Sequence, residues 1–218
     1  MKNILLKYFW NLQSYTWDDF LISSDYGNEI KDIVDIVTNK SEVKIGKIID
    51  VGCATGSYCI EFAKRGFDVL GVDFASNMIK KGEKKALNLH LNNLSFFLCD
   101  LSEKFCLLKN YFDVVLIAHF FHLIENYKNK INEFVELVSD GGLLVLVFKT
   151  KRIEQFEPIK INLLKYLIKV LRKLLFSKNK MTKINCDLIN NELNKLGLDL
   201  IKEAETTNNK VLIFRKTK

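Results

Sequence analysis

The segment Ile48-Ile-Asp-Val-Gly-Cys-Ala-Thr-Gly-Ser57 sets an acid, two glycines and a threonine at the end of a short apolar run. A strand entering a tight glycine turn brings backbone N–H groups close to a ligand, and a helix beginning after the turn offers its N-terminus to negative charge. Asp73, twenty-one residues beyond Gly52, closes a second apolar run at 67–73. A carboxylate at that place can accept from both hydroxyls of a ribose. Asp100 closes a third run (94–100), and Ala118 and His119 close a fourth (112–119). Ligands of open α/β sheets bind outside the carboxyl ends of the strands, where all these residues fall. A dinucleotide fold would require G-x-G-x-x-G; here Ala54 replaces the second glycine and Ser57 the third.

The elements that must position these residues alternate. Two helical stretches are expected in 1–40, where Phe9, Trp10, Gln13 and Trp17, then Ile30, Ile33, Val34 and Val37, recur at three- and four-residue spacing with a break near Ser23–Gly27. A strand at 48–51 leads into the turn, a helix runs from Ser57 to Arg65, and a strand at 67–73 precedes a helix from Ser76 to Leu87. Strands at 94–100 and 112–119 follow, then a helix from Asn126 to Ser139 closed by Gly141 and Gly142, and a strand at 143–149. Near-continuous apolar strands alternating with helices predict a parallel sheet covered on both faces. The end differs: Asn185 is placed to cap a helix over 186–196 with Gly197 beyond it. The runs 198–205 and 210–216, joined through Thr206–Asn209, predict an antiparallel hairpin.

The turn resembles the first motif of the class I S-adenosylmethionine-dependent methyltransferases, D-x-G-C-G-x-G, departing from it at Ala54. The resemblance covers roughly 45–150 in good order and the C-terminal part more loosely. It implies a Rossmann-like, doubly wound α/β fold: a mostly parallel seven-stranded sheet with an antiparallel C-terminal hairpin and helices on both faces. It divides a single domain (1–218) into an N-terminal helical cap (1–44), a cofactor-binding core (45–150), a basic helical insert (151–180) and a C-terminal helix and hairpin (181–218). It implies S-adenosylmethionine as cofactor, S-adenosylhomocysteine as product, and in-line transfer to a small-molecule acceptor. Gly52, Cys53, Thr55 and Gly56 would form the binding loop, with Asp50 orienting it and the amino group of the methionine part. Asp73 would take the ribose, Phe74 and Met78 the adenine face, and Cys99, Asp100 and Leu101 the adenine edge. Ala118 and His119 would face the reacting methyl. FWNLQSYTWDDF (9–20) is similar to the W-D-x-x-A-x-x-Y-D segment that precedes many small-molecule members, so that Trp17 closes over the cofactor without the usual phenol. Phe9, Trp10 and Tyr26 would line the acceptor pocket. The N/D-P-P-Y motif of amino-group methylators of nucleic acid or protein is missing.

Each signal has a plainer counterpart. His119 and His122 have the right chemistry for a general base near neutral pH, or pack structurally, the latter reading being preferred for His122. Transfer from a sulfonium gains much of its rate from alignment alone, so a base is not obligatory. The five cysteines, odd in number and without a CxxC pair, read as small reduced buried residues of a cytoplasmic protein. They and three scattered histidines make no metal site.

The formal charge of +7 is concentrated. Between Lys149 and Lys183 lie eleven Lys or Arg against two Glu, a local +9, leaving the remainder near −2. Within it, 158–176 is an amphipathic helix with Lys165, Lys169, Arg172 and Lys173 on one stripe. It reads as a packed helix with a solvated edge, as a lid over the acceptor, or as a contact for an anionic membrane or RNA, the quinone and RNA methyltransferases being the matching activities. RNA is disfavoured because only Tyr166 and Phe176 are available for stacking. A non-catalytic S-adenosylmethionine-binding partner or sensor is the alternative outside enzymes. No apolar run is long enough to span a bilayer, and no secretory signal is evident at the start.

Overall fold

The computed structural model describes residues 2–23, 26–40, 46–100, 109–119, 127–150, 168, 171 and 186–217. Within these, the apolar runs pair as one sheet. β1 (Lys47–Val51) lies at its centre, with β2 (Asp68–Asp73) and then β3 (Leu94–Leu98) on one side. β4 (Phe112–Ala118), β5 (Val138–Lys149), β7 (Asn209–Lys216) and β6 (Leu198–Glu205) follow on the other. β1 to β5 run parallel, and β7 is antiparallel to both β5 and β6. Sheet class and C-terminal hairpin are thus as expected.

Successive strand residues point to opposite faces, and both faces are buried. Ile48, Val114, Leu116, Val145 and Val147 share one core with α2 (Tyr26–Lys40), α3 (Ser57–Lys64) and α4 (Ser76–Asn88). Ile49, Val115, Ile117, Leu144 and Leu146 share the other with α5 (Tyr127–Leu137) and α6 (Cys186–Lys195). The N-terminal break falls between α1 (Lys2–Ser23) and α2.

One boundary is corrected. Gly141 and Gly142 do not close α5, which ends at Leu137; Val138 already pairs with Phe112, and pairing resumes at Val114↔Leu143. The glycines serve this irregularity in β5. Gly141 has φ 79°, and a Cβ on Gly142 would lie 2.7 Å from Ser139 Oγ and 3.1 Å from the Asp113 carbonyl. The proposed cap Asn185 lies outside the described residues.

Under the glycine turn sits a slot that only glycine permits. The Phe96 ring of β3 occupies the positions that Cβ atoms would need on Gly56, Gly71 and Gly82, at 2.5, 2.8 and 2.7 Å. Three elements, the turn, β2 and α4, therefore close on one ring. Gly71→Ala forces that ring and the Cys59 sulfur, 2.9 Å from the same Cβ position, to move together. A loss of about 2 kcal/mol is expected in chemical denaturation, the usual range for overpacking. Gly27→Ala, in α2 with nothing within 4 Å of the new Cβ, is expected to be neutral or slightly stabilising.

Candidate active site

The loop between β1 and α3 is pinned against the end of β2. Gly52 N and Cys53 N both donate to the Val72 carbonyl (2.8 and 3.0 Å), and Gly56 N donates to Cys53 O at 2.9 Å. Gly52, Ala54 and Gly56 all have positive φ (78°, 48° and 76°). The alanine that departs from the glycine motif therefore occupies a left-handed position, which costs an L-residue about 1–2 kcal/mol. Ala54→Gly relieves that cost and adds unfolded-state entropy, so a net gain of about 0.5–1 kcal/mol is expected by denaturation.

Asp73 ties two segments together. Its Oδ2 accepts from Ala54 N at 2.9 Å and its Oδ1 from Ala75 N at 2.8 Å, so loop and α4 entry are fixed by one carboxylate. A carboxylate has about four acceptor positions, which leaves acceptor capacity for a ligand. Burial pushes Asp73 up to about 6, opposed by the backbone N–H groups of Ala75, Ala54 and Phe74. Asp50, at the third position of β1's run Ile48–Asp50, is buried and accepts from the Cys59 thiol at 3.3 Å. Burial raises it to about 7, with the Cys59 bond opposing and the charge of Asp73 adding to the rise. Two carboxylates thus share a cleft in which ionisation is costly, and a ligand bringing positive charge or N–H and O–H donors would relieve both. Cys53 is raised to about 11 by burial, and Cys59 is raised as well, so both remain thiols.

The cleft over these carboxylates is lined by Gly52, Cys53, Ala54, Ser57, Tyr58, Phe74, Met78, Ala118, His119 and Lys149, with Trp10, Trp17, Phe20 and Leu21 from α1 and Ile30 from α2. The indole of Trp17 meets Trp10 edge-on at 5.7 Å and Phe20 at 5.8 Å, forming an aromatic wall. His119 directly follows β4 with φ 56°, its N–H donating to Val147 O at 3.0 Å, and its Nε2 lies 3.4 Å from the Tyr58 hydroxyl.

Among the residues singled out from the sequence, Trp17, Asp50, Gly52, Cys53, Asp73, Phe74, Met78, Ala118 and His119 come together here, and Trp10 joins them. Gly56 shapes the turn as the residue before α3. Thr55 faces away: its hydroxyl donates to Asp18 Oδ1 at 2.6 Å and accepts from Lys85 Nζ at 2.8 Å, joining the loop to α1 and α4. Cys99 N donates to Asp73 O at 2.9 Å, but neither Cys99 nor the exposed Asp100 lines the cleft. Phe9 is buried beside Trp10 and does not line the cleft either. Leu101, His122, the Tyr26 side chain and all of 158–176 except Ile168 and Leu171 lie outside the described residues.

Ser57, Tyr58, Phe20, Leu21, Ile30 and Lys149 were missed. Lys149 ends β5, so the rule that sites gather at strand ends would have found it. The seam between α1 and α4 had no such signal. Asn11 Oδ1 accepts from Asn77 N at 2.8 Å, and Lys81 Nζ donates to Ser14 O at 2.7 Å. Asn11 thereby caps α4 in place of Ala75, which has no side chain to do so.

The sequence profile of a methyltransferase domain matches residues 43–157, more than half of the chain. This chain belongs to that methyltransferase-domain family. The fold of the methyltransferase domain is shared with the S-adenosylhomocysteine-bound magnesium protoporphyrin IX methyltransferase of Synechocystis PCC 6803, at TM-score 0.65 and 20% identity over 88% of this chain and 84% of that one. In sequence it is similar to a 23S rRNA (uracil(1939)-C(5))-methyltransferase of Shewanella sediminis, 32% identical over 101 residues, 42% of this chain and 22% of the relative. It is also similar to the demethylmenaquinone methyltransferase of Staphylococcus saprophyticus, 29% identical over 113 residues, 50% of this chain and 47% of the relative. In both cases the match spans less than half of the relative's own length. Among the described residues there is no cluster of metal-ligating side chains, and no helix is long and apolar enough to cross a membrane.

Proposed function

We propose that this methyltransferase domain transfers the methyl group of S-adenosylmethionine to a small-molecule acceptor. The observation that carries the reading is the pair of buried carboxylates, Asp50 and Asp73, flanking a glycine turn beneath an aromatic wall. The donor set suits the cofactor: acceptors for ribose hydroxyls and an amino group, apolar Phe74 and Met78 for an adenine, and negative charge toward a sulfonium. When bound, the cofactor supplies an electrophilic methyl on a sulfur that leaves as a neutral thioether.

Asp73 accepts from the ribose hydroxyls while holding Ala54 and Ala75, and Asp50 takes the amino group of the methionine part. Thr55 keeps the loop on α1 through Asp18. His119, close to the Tyr58 hydroxyl, takes the proton of an acceptor that carries one. Trp17 and Trp10 exclude water above the reacting atoms. Residues 1–44 serve as cap, 45–150 as cofactor core, 151–180 as insert and 181–218 as the closing helix and hairpin of one domain. Among the described residues Cys53, Cys59 and Cys186 are in no disulfide, which accords with a cytoplasmic setting.

A second reading, methylation of RNA or of a lipid quinone, is favoured by the +9 segment and by the two sequence relatives. Tritium transfer from methyl-labelled S-adenosylmethionine decides among these, with small aromatic acceptors, a demethylmenaquinol analogue and total RNA as parallel substrates. Label on small soluble acceptors alone supports the first reading. Label on RNA or the quinol, lost when Lys169, Arg172 and Lys173 are neutralised, replaces it. Cofactor binding with no label on any substrate would leave a sensor or partner role.

A further inference from the structure

Thr55 stands in the glycine turn beside Ala54, whose N–H is held by Asp73, yet it does not line the cleft. It is fully buried, and its hydroxyl donates to Asp18 Oδ1 at 2.6 Å and accepts from Lys85 Nζ at 2.8 Å. Lys85 Nζ also donates to Asp18 Oδ1 at 3.0 Å, which closes the three groups into a triangle. Its corners lie on three elements: the turn, α1 and α4. The contacts are charge-assisted and partly shielded from water, the Lys85 and Asp18 side chains being 30% and 33% exposed.

The triangle has a neighbour on each side that faces the cleft. Asp18 directly follows Trp17, which with Trp10, Phe20 and Leu21 makes the α1 wall. Thr55 directly follows Ala54 and so adjoins the carboxylate assigned to the ribose. One route of contacts therefore runs from Asp73 through the turn to the aromatic wall. Asn11 with Asn77, and Lys81 with Ser14, also tie α1 to α4, whereas Asp18 reaches the turn as well. A wall already seated when a ligand arrives costs no further ordering, whereas a wall free to swing weakens binding by the fraction of time it is misplaced. We propose that Asp18 and Lys85 are positioning residues for the cofactor: acting through Thr55, they hold Trp17 and Trp10 seated over the glycine turn and slow release of the bound nucleoside. This rests on the methyltransferase reading and deepens it, assigning cofactor retention to a contact outside the cleft.

The test is release of tritiated S-adenosylhomocysteine in a cold chase, with association rates and urea denaturation measured on the same proteins. Thr55→Val, which keeps the branched shape and removes the hydroxyl, is expected to speed release about tenfold and to change association by less than about threefold. Asp18→Ala is expected to do the same, and Thr55→Ser to retain slow release. The double variant should release no faster than either single one, because both break one link. In a Trp17→Leu background, where the wall is already reduced, Thr55→Val should add less than about threefold. A turn that was merely weakened would speed release by the same factor with or without Trp17. Unchanged release in Thr55→Val and Asp18→Ala, or an undiminished gain in the Trp17→Leu background, overturns the proposal. Should urea denaturation show that Asp18→Ala does not fold, Lys85→Met takes its place with the same expected direction. Failure of the wild-type chain to bind S-adenosylhomocysteine would instead bring down the methyltransferase reading beneath it.

Discussion

Asp73→Ala is expected to lower S-adenosylmethionine affinity about a hundredfold while the fold survives. The carboxylate holds Ala54 N and Ala75 N, and its remaining acceptor positions are the ones offered to a ribose. Hydrogen bonds to a charged group contribute about 1.5–3 kcal/mol each, so losing the ligand's share alone approaches 3 kcal/mol. Stability should change far less. The mutation strands the backbone donors of Ala54, Ala75 and Phe74 but also removes a carboxylate that burial has pushed up to about 6. Asp73→Asn should be intermediate, since an amide keeps one acceptor oxygen and turns an N–H₂ toward the second donor. Titration calorimetry paired with urea denaturation separates the two effects. Equal losses of affinity and stability would mean that Asp73 is a structural bracket only.

Asp50→Asn is expected to act in opposite directions on stability and on binding. The Asp50 carboxyl rises from its ordinary value of 3.8 to about 7 in the folded chain, chiefly through burial. A group whose folded value is raised contributes stability that is complete below the unfolded value and is lost as pH climbs through the folded one. The unliganded protein should therefore lose this contribution between about pH 4 and pH 7. At pH 8, Asp50→Asn should be more stable than wild type by on the order of 2 kcal/mol, and at pH 4 the two should nearly coincide. Binding should run the other way. The ionised carboxylate is the form that meets a cationic ligand, so wild-type affinity for S-adenosylmethionine should fall as pH drops below 7. Asp50→Asn should bind at least tenfold more weakly at pH 8 and show little of that dependence. Melting curves and titrations at both pH values check the pair of statements. A less stable Asp50→Asn at pH 8 would contradict the first.

These two acids were legible in the sequence because strand ends in a parallel sheet are marked by the apolar runs that precede them. Gly52, Gly56 and the placement of Asp73 followed from the same regularity, and so did the sheet and its C-terminal hairpin. Features set by contacts between distant segments were not legible. Nothing local to Phe96 announces that three glycines close upon its ring, and nothing local to Asn11 that it caps a helix more than sixty residues away. Thr55 shows the converse. Its place in the motif suggested the ligand, yet Asp18 and Lys85 draw its hydroxyl to the far side of the loop. The end of α5 was misplaced because paired glycines usually stop helices, and only the pairing of Val138 with Phe112 shows that they serve a strand irregularity here.

The most direct test of the central claim is calorimetric titration of the wild-type chain with S-adenosylmethionine at pH 7, in two buffers of different ionisation enthalpy, with NAD as control. Burial raises Asp50 to about 7, so binding a cation beside it at this pH should favour its ionised form and release protons, a fraction of one per site. Saturable binding with that release, and none of NAD, is the predicted result. Absence of S-adenosylmethionine binding, or binding with no proton exchanged, would contradict the assignment of Asp50 and Asp73 as the heart of the cofactor site.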